Sequence, residues 1–149
     1  MWRTRYGVLG AGICWDQWFP ESGRSMALMG AEALLFPTAI ASDPPAPEAD
    51  SRDAWQRVQQ GQAAANLVPL VASNRIGLEE GASAGMRFYG SSFVADQTGA
   101  IVAQASRDRQ EVVTATFDLD EVRRYRERWA MFRDRRPDTY GRLLTLDGA

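Results

Sequence analysis

Residues Tyr6 to Cys14 read YGVLGAGIC, and Trp15 to Met29 continue as WDQWFPESGRSMALM. The first run is small, aliphatic and uncharged, the composition of a strand buried on both faces, with Gly7, Gly10 and Gly12 letting neighbouring elements approach. Its end at Cys14 is abrupt. Trp15 to Phe19 predicts a turn, and Pro20 with Glu21 supplies the fixed φ and the first-turn carboxylate of a helix start. That helix continues from Ser22 to Met29, with Ser22, Met26 and Met29 on one side and Gly30 as its stop. Ala33 to Phe36 reads as a second buried strand, closed by Pro37. The unit is strand, sharp turn, helix, strand, and the cysteine sits at the turn.

Further along, Asp43 to Pro47 (DPPAP) can enter neither a helix nor a central strand, so it predicts a loop. Ser51 and Asp53 then open a helix to about Asn66, with Ala54, Trp55, Val58, Gln62 and Ala65 as its inner face. Leu67 to Ser73 (LVPLVAS) is a strand that Pro69 places at an edge or beside a bulge. After a glycine-rich connection, Gly77 to Gly85, come a strand from Phe88 to Ala95, a hairpin turn at Asp96 to Gly99 (DQTG), and strands at Ile101 to Ala105 and Val112 to Phe117. Asp118 or Asp120 caps a last helix, about Glu121 to Trp129. Strands alternating with amphipathic helices predict an α/β layered fold. A strand buried on both faces needs neighbours and cover that the first few residues do not supply, so the chain is expected to be part of a larger sheet protein.

Composition removes several chemistries. All 17 basic residues are arginine, against 19 acidic ones; there is no histidine, and Cys14 is the one cysteine among 149 residues. Ser-His and Cys-His pairs, disulfide frameworks, thiolate zinc clusters, Schiff-base lysines and P-loop lysines are therefore excluded. The lone cysteine and the absence of a signal-like start predict a cytoplasmic protein. No apolar run approaches the roughly 18 residues that span a bilayer, and a net charge of -2 offers no general attraction to nucleic acid or anionic lipid.

Cys14 admits two readings: a small apolar core residue, or a nucleophile presented where a buried strand turns into a helix. As a nucleophile it needs a base or a positive field, because a free thiol is mostly protonated at neutral pH. Asp16 and Glu21 are the nearest acids, and each suits a structural role in the turn or the first helical turn better than proton abstraction.

The segments ICWDQWFPE around Cys14, PTAIASDP from Pro37, SRDAWQRVQQGQAAANLVPLVASNRIG, FYGSSFVADQTG and FRDRRPDTYGRLLTLDG together resemble the nitrilase superfamily of carbon–nitrogen hydrolases, in the family's order. Within it they look most like the branch that hydrolyses N-carbamoylputrescine. The resemblance implies an α-β-β-α sandwich, of which this chain would be half, four-layered when the full-length family dimerises. It also implies a Cys, a Lys and two Glu as the active site, a small carbamoyl-amine substrate, no metal and no organic cofactor. Carried over by position, Cys14 would be the nucleophile, the Trp15 backbone N–H an oxyanion donor, and Thr38 and Ala39 pocket residues, while Asp16, Gln17 and Glu21 would shape the elbow. The family's Lys and Glu residues lie upstream of its Cys, and this chain has no Lys. Residues 1–149 are thus expected to be the C-terminal portion of one hydrolase domain, inactive and poorly soluble alone. The alternatives are another amidase or a β-ureidopropionase, or a non-catalytic truncated homologue.

Arg123 to Arg136 holds seven of the arginines, interleaved with Tyr125, Trp129 and Phe132. Glu127 and Asp134 interrupt the run, and Val122, Trp129 and Phe132 have the spacing of a buried helix face, so a solvated face with stacked, paired arginines is expected in place of nucleic-acid binding. The family resemblance adds a homo-oligomer whose C-terminal segment packs at a subunit interface.

Overall fold

The structure is a computed structural model that describes residues 1–42, 50–80 and 85–149. Among these, β1 (Trp2–Arg3), β2 (Val8–Ala11), β3 (Ala33–Thr38), β4 (Leu70–Asn74), β7 (Phe93–Ala95) and β8 (Ile101–Gln104) form one sheet in the order β1-β2-β3-β4-β7-β8. A separate hairpin pairs β5 (Ile76–Glu79) with β6 (Met86–Tyr89). The helices are α1 (Pro20–Leu28), α2 (Arg52–Asn66) and α3 (Leu119–Trp129). β2, β3 and β4 run parallel, and β1, β7 and β8 extend the sheet antiparallel. This is a mixed α/β layer.

The pleat divides the sheet cleanly. Gly10, Leu34, Leu70 and Ala95 are cross-strand partners, and with Phe36, Ala72 and Phe93 they face a buried core completed by Met26, Trp55 and Ala63 of α1 and α2. On the opposite face, Ala11, Leu35 and Val71 stand in register and are only half-buried, an apolar sheet face with thinner cover.

Several expectations shift. The first strand is shorter than Tyr6 to Cys14, because the Thr4 hydroxyl caps a turn onto Gly7 and Cys14 has already left extended backbone at φ 50°. β3 runs through Pro37. In this parallel strand Leu34 donates to Pro69 on the β4 side and Leu35 accepts from Gly12 on the β2 side, so position 37 faces β2, which has ended. Its missing N–H costs no ladder bond. Pro69 lies at neither edge nor bulge; it immediately precedes central strand β4, where a strand tolerates proline. Met29 is exposed, one turn past the buried Gly23, Met26 and Ala27.

α2 starts and stops as expected, but its inner face is rotated: Ala54 and Ala65 are exposed, while Gln56, Gln59, Gln62 and Asn66 are buried beside Trp55 and Ala63. Apolar periodicity misses this face because its amides serve buried backbone. The expected strand Phe88 to Ala95 is two strands, broken at Gly90 (φ 52°) and Ser91 (φ 58°). Part of the glycine-rich connection is β5, and Val112 to Phe117 forms no strand, with Val112 exposed. The DQTG turn closes as expected, with Asp96 accepting from the amides of Thr98 and Ala100. Asp118 is the N-cap of α3. The DPPAP loop lies outside the described residues.

Candidate functional site

The parallel pairing of β2 with β3 brings their C-terminal ends together, and Cys14 and Thr38 meet there although 24 residues separate them. Gly12 makes the exit from β2 possible. A Cβ at that position would stand 2.7 Å from Phe36 Cε1 and 3.1 Å from Asp16 Cβ. Cys14 then takes left-handed backbone and opens a 3-10 turn, Cys14–Trp18, that Asp16 braces by accepting from Ile13 N–H at 2.9 Å.

The half-buried Cys14 sulfur is surrounded by donors. Ala39 N–H acts on it most strongly, the Thr38 hydroxyl donates to it at 3.4 Å, and Trp15 N–H adds a third contact. Partial burial and the Asp16 carboxylate oppose ionisation, but the donors outweigh them and hold the thiol below its ordinary value. No histidine or lysine is needed for that effect.

Behind the sulfur lies a buried amide network. Trp55 Nε1 donates to Gln17 Oε1 at 2.7 Å, and Gln17 Nε2 donates to Thr38 Oγ1 at 2.9 Å. The Gln17 carbonyl accepts from Gln59 Nε2 at 3.0 Å and also from Gln62 Nε2. Gln17 is fully buried. The loop after Thr38 is pinned by Asn74, whose side chain bonds both Ile40 N–H and the Ile40 carbonyl.

Cys14, Trp15, Thr38 and Ala39 are therefore brought together, and Asp16 and Gln17 support them. Glu21 sits exposed in the first turn of α1 and makes no contact with the sulfur. The sequence reading does not single out Trp55, Gln59, Gln62 or Asn74 as site residues; the dense glutamine content of α2 is the signal for two of them. Among the described residues, no group of three or more His, Cys, Asp and Glu could hold a metal ion, and no helix is long and apolar enough to cross a membrane.

At the other end of the chain, the arginine-rich segment stacks as expected, with the Arg126 and Arg24 guanidiniums 3.9 Å and 4.6 Å from the Phe132 ring centre. Val122 is buried, but Trp129 is exposed and does not continue that face.

Residues 1–127 match the family described as "Carbon-nitrogen hydrolase". A protein of Oryza sativa named N-carbamoylputrescine amidase is 55% identical over 150 residues, covering 98% of this chain and 50% of its own length. A Francisella tularensis citrullinase is 51% identical, covering 97% of this chain and 50% of its own length. The crystal structure of a carbon-nitrogen hydrolase from Helicobacter pylori superposes with a TM-score of 0.88 at 42% identity, over 97% of this chain and 51% of that one. The chain spans about half the length of the curated relatives it matches. The mixed α/β layer is thus the fold of the nitrilase superfamily, and the chain belongs to the carbon-nitrogen hydrolase family.

Proposed function

We propose that the chain carries the nucleophile of a thiol amidohydrolase that converts N-carbamoylputrescine to putrescine, ammonia and carbon dioxide. The observation that carries this reading is Cys14 itself, a half-buried thiol in left-handed backbone at the end of β2, with Ala39, Thr38 and Trp15 donating to its sulfur. Similarity over 98% of this chain, and half the length of the relative, to a protein named N-carbamoylputrescine amidase supports the substrate.

In this scheme the thiolate adds to the carbamoyl carbon, and Trp15 N–H donates to the oxygen that gains charge. The bond from that carbon to the putrescine nitrogen breaks, the amine leaves with a proton, and a carbamoyl thioester remains. Water adds, the carbon–sulfur bond breaks, and the released carbamate falls to ammonia and carbon dioxide while the thiol is restored. Thr38 and Ala39 line the pocket, and Asp16, Gln17 and Glu21 shape the elbow. No metal or organic cofactor enters the scheme. Asp16 is committed to Ile13 N–H, so the proton-transferring Glu, the Lys and the second Glu of the family come, in this reading, from outside residues 1–149. The chain is then the C-terminal portion of one hydrolase domain, cytoplasmic, and homo-oligomeric in the full-length form.

The citrullinase relative favours a second reading. Citrulline and N-carbamoylputrescine share a terminal ureido group on an aliphatic chain and differ at the far end, so acidic groups around the distal pocket would select the diamine and basic ones the amino acid. The test incubates the chain, alone and with the N-terminal half of the Oryza sativa relative, with each substrate. A carbamoyl adduct on the Cys14 peptide from N-carbamoylputrescine, absent in Cys14→Ser, is expected. No adduct from it under either condition overturns the proposal, and an adduct from citrulline alone moves it to the second reading.

A further inference from the structure

The bonds behind Cys14 have a direction. An indole N–H can only donate, so Trp55 Nε1 at 2.7 Å requires the oxygen of the Gln17 amide to face it. The amide nitrogen then faces Thr38, donating to Oγ1 at 2.9 Å. A hydroxyl has one proton, and with its oxygen already accepting from Gln17, Thr38 turns that proton toward Cys14 Sγ at 3.4 Å. Gln17 and Trp55 are both fully buried, so no water competes for either end of the amide. Elsewhere an amide or hydroxyl rotates to suit its neighbours; here the polarity of three successive groups is set by one donor-only ring.

We propose that Trp55 is a positioning residue for Cys14, its indole N–H orienting the Gln17 amide so that the Thr38 hydroxyl presents its proton to the sulfur. Without that N–H the Gln17 amide can invert and offer its oxygen to Thr38. The hydroxyl proton then turns away from Cys14, and the thiolate loses a donor. Ala39 N–H and Trp15 N–H stay in place, so the sulfur is weakened as a nucleophile but still shielded by the other two. Asp16, on the same turn, is the charged group among the described residues that acts on the sulfur, and it opposes ionisation in every variant alike. The functional meaning of this relay rests on reading Cys14 as the nucleophile; its existence does not.

Cys14 is the one thiol in the chain, so its reaction with iodoacetamide can be followed as a function of pH without background from other cysteines. Trp55→Phe and Thr38→Val should each raise the midpoint of the rate profile by about one pH unit, which makes alkylation at pH 7 about tenfold slower. Thr38→Ser should behave as the parent. The double variant should shift no further than Thr38→Val alone, because Trp55 acts only through that hydroxyl. A merely structural tryptophan would give additive shifts. Should Trp55→Phe lose its near-UV dichroism, β-(3-benzothienyl)alanine incorporated at position 55 keeps the bicyclic volume and lacks the N–H, and it should reproduce the one-unit rise. An unchanged midpoint in a folded variant without the N–H, or additivity with Thr38→Val, overturns the relay. Either result leaves the nucleophile reading standing, whereas absence of a carbamoyl adduct sinks that reading and leaves the alkylation profiles to decide the relay.

Discussion

The side chain of Asn74 holds both backbone polar groups of Ile40: Oδ1 accepts from Ile40 N–H at 2.8 Å, and Nδ2 donates to the Ile40 carbonyl at 3.1 Å. The same Nδ2 reaches the Gly90 carbonyl at 3.0 Å, which ties the loop after β3 to the break between β6 and β7. Ala39, whose N–H faces the Cys14 sulfur, is the residue just before Ile40. Asn74→Leu should therefore destabilise the chain by about 2 kcal/mol, because three part-buried backbone groups lose their side-chain partner, and should slow alkylation of Cys14. Asn74→Asp keeps the acceptor for Ile40 N–H and should fall between. Urea denaturation checks the first effect, and a loss under about 0.5 kcal/mol would place Asn74 with ordinary surface positions.

Cys14 occupies left-handed backbone at φ 50°, a conformation that costs an L-residue roughly 1–2 kcal/mol and glycine almost nothing. Cys14→Gly should be more stable than Cys14→Ala by about 1 kcal/mol, despite glycine's greater freedom in the unfolded chain. Thermal melts of the two variants measure this directly. Equal stability would mean that the turn relaxes when the thiol is removed.

Gly12→Ala should destabilise by about 2 kcal/mol, since its Cβ would meet the Phe36 ring at 2.7 Å in a packed core. Phe36 is itself fully buried and cannot swing away. Phe36→Leu should recover part of that loss in the double variant, and a double-variant denaturation series would reveal simple addition if the clash lies elsewhere.

Glu32, just before β3, joins two elements: it accepts from Val8 N–H of β2 at 2.8 Å, and Arg123 of α3 donates to it at 2.6 Å. Burial works against its ionisation, but Val8 N–H and Arg123 outweigh burial and hold the carboxyl below its ordinary value of 4.5. A carboxyl depressed in the folded state stabilises above its unfolded value and loses that contribution as the pH falls through the folded one. Glu32→Gln should thus be less stable than the parent at pH 7, with the gap closing below about pH 4.5. Denaturation curves from pH 7 to pH 2 test the sign; a gap that widens in acid would contradict it.

The layered α/β fold, the turn at Cys14 and the helix starts at Pro20 and Asp118 were legible because each depends on neighbours a few residues apart. Pro20 carries its own φ, and Asp118 reaches the amides of Asp120 and Glu121 directly. The inner face of α2 was not legible. The sequence reading places Gln62 on the inner face but not Gln59, and both are buried because the Gln17 carbonyl, more than 40 residues away in sequence, needs their donors. The same holds for the prolines: Pro37 sits inside a strand only because β2 stops short of it.

Sequence by itself determined which chemistry was possible. With no histidine, no lysine and one cysteine, Cys14 was the leading candidate for a covalent step, and the residues around it carried the family resemblance that the comparisons bear out. Tertiary structure alone decided how that sulfur is surrounded. Parallel pairing of β2 with β3 puts Thr38 and Ala39 against it, and packing of α2 on the sheet brings Trp55 to Gln17. Hydrogen bonds have direction only once both partners are placed, and every donor chain behind Cys14 runs between residues that the linear sequence keeps far apart.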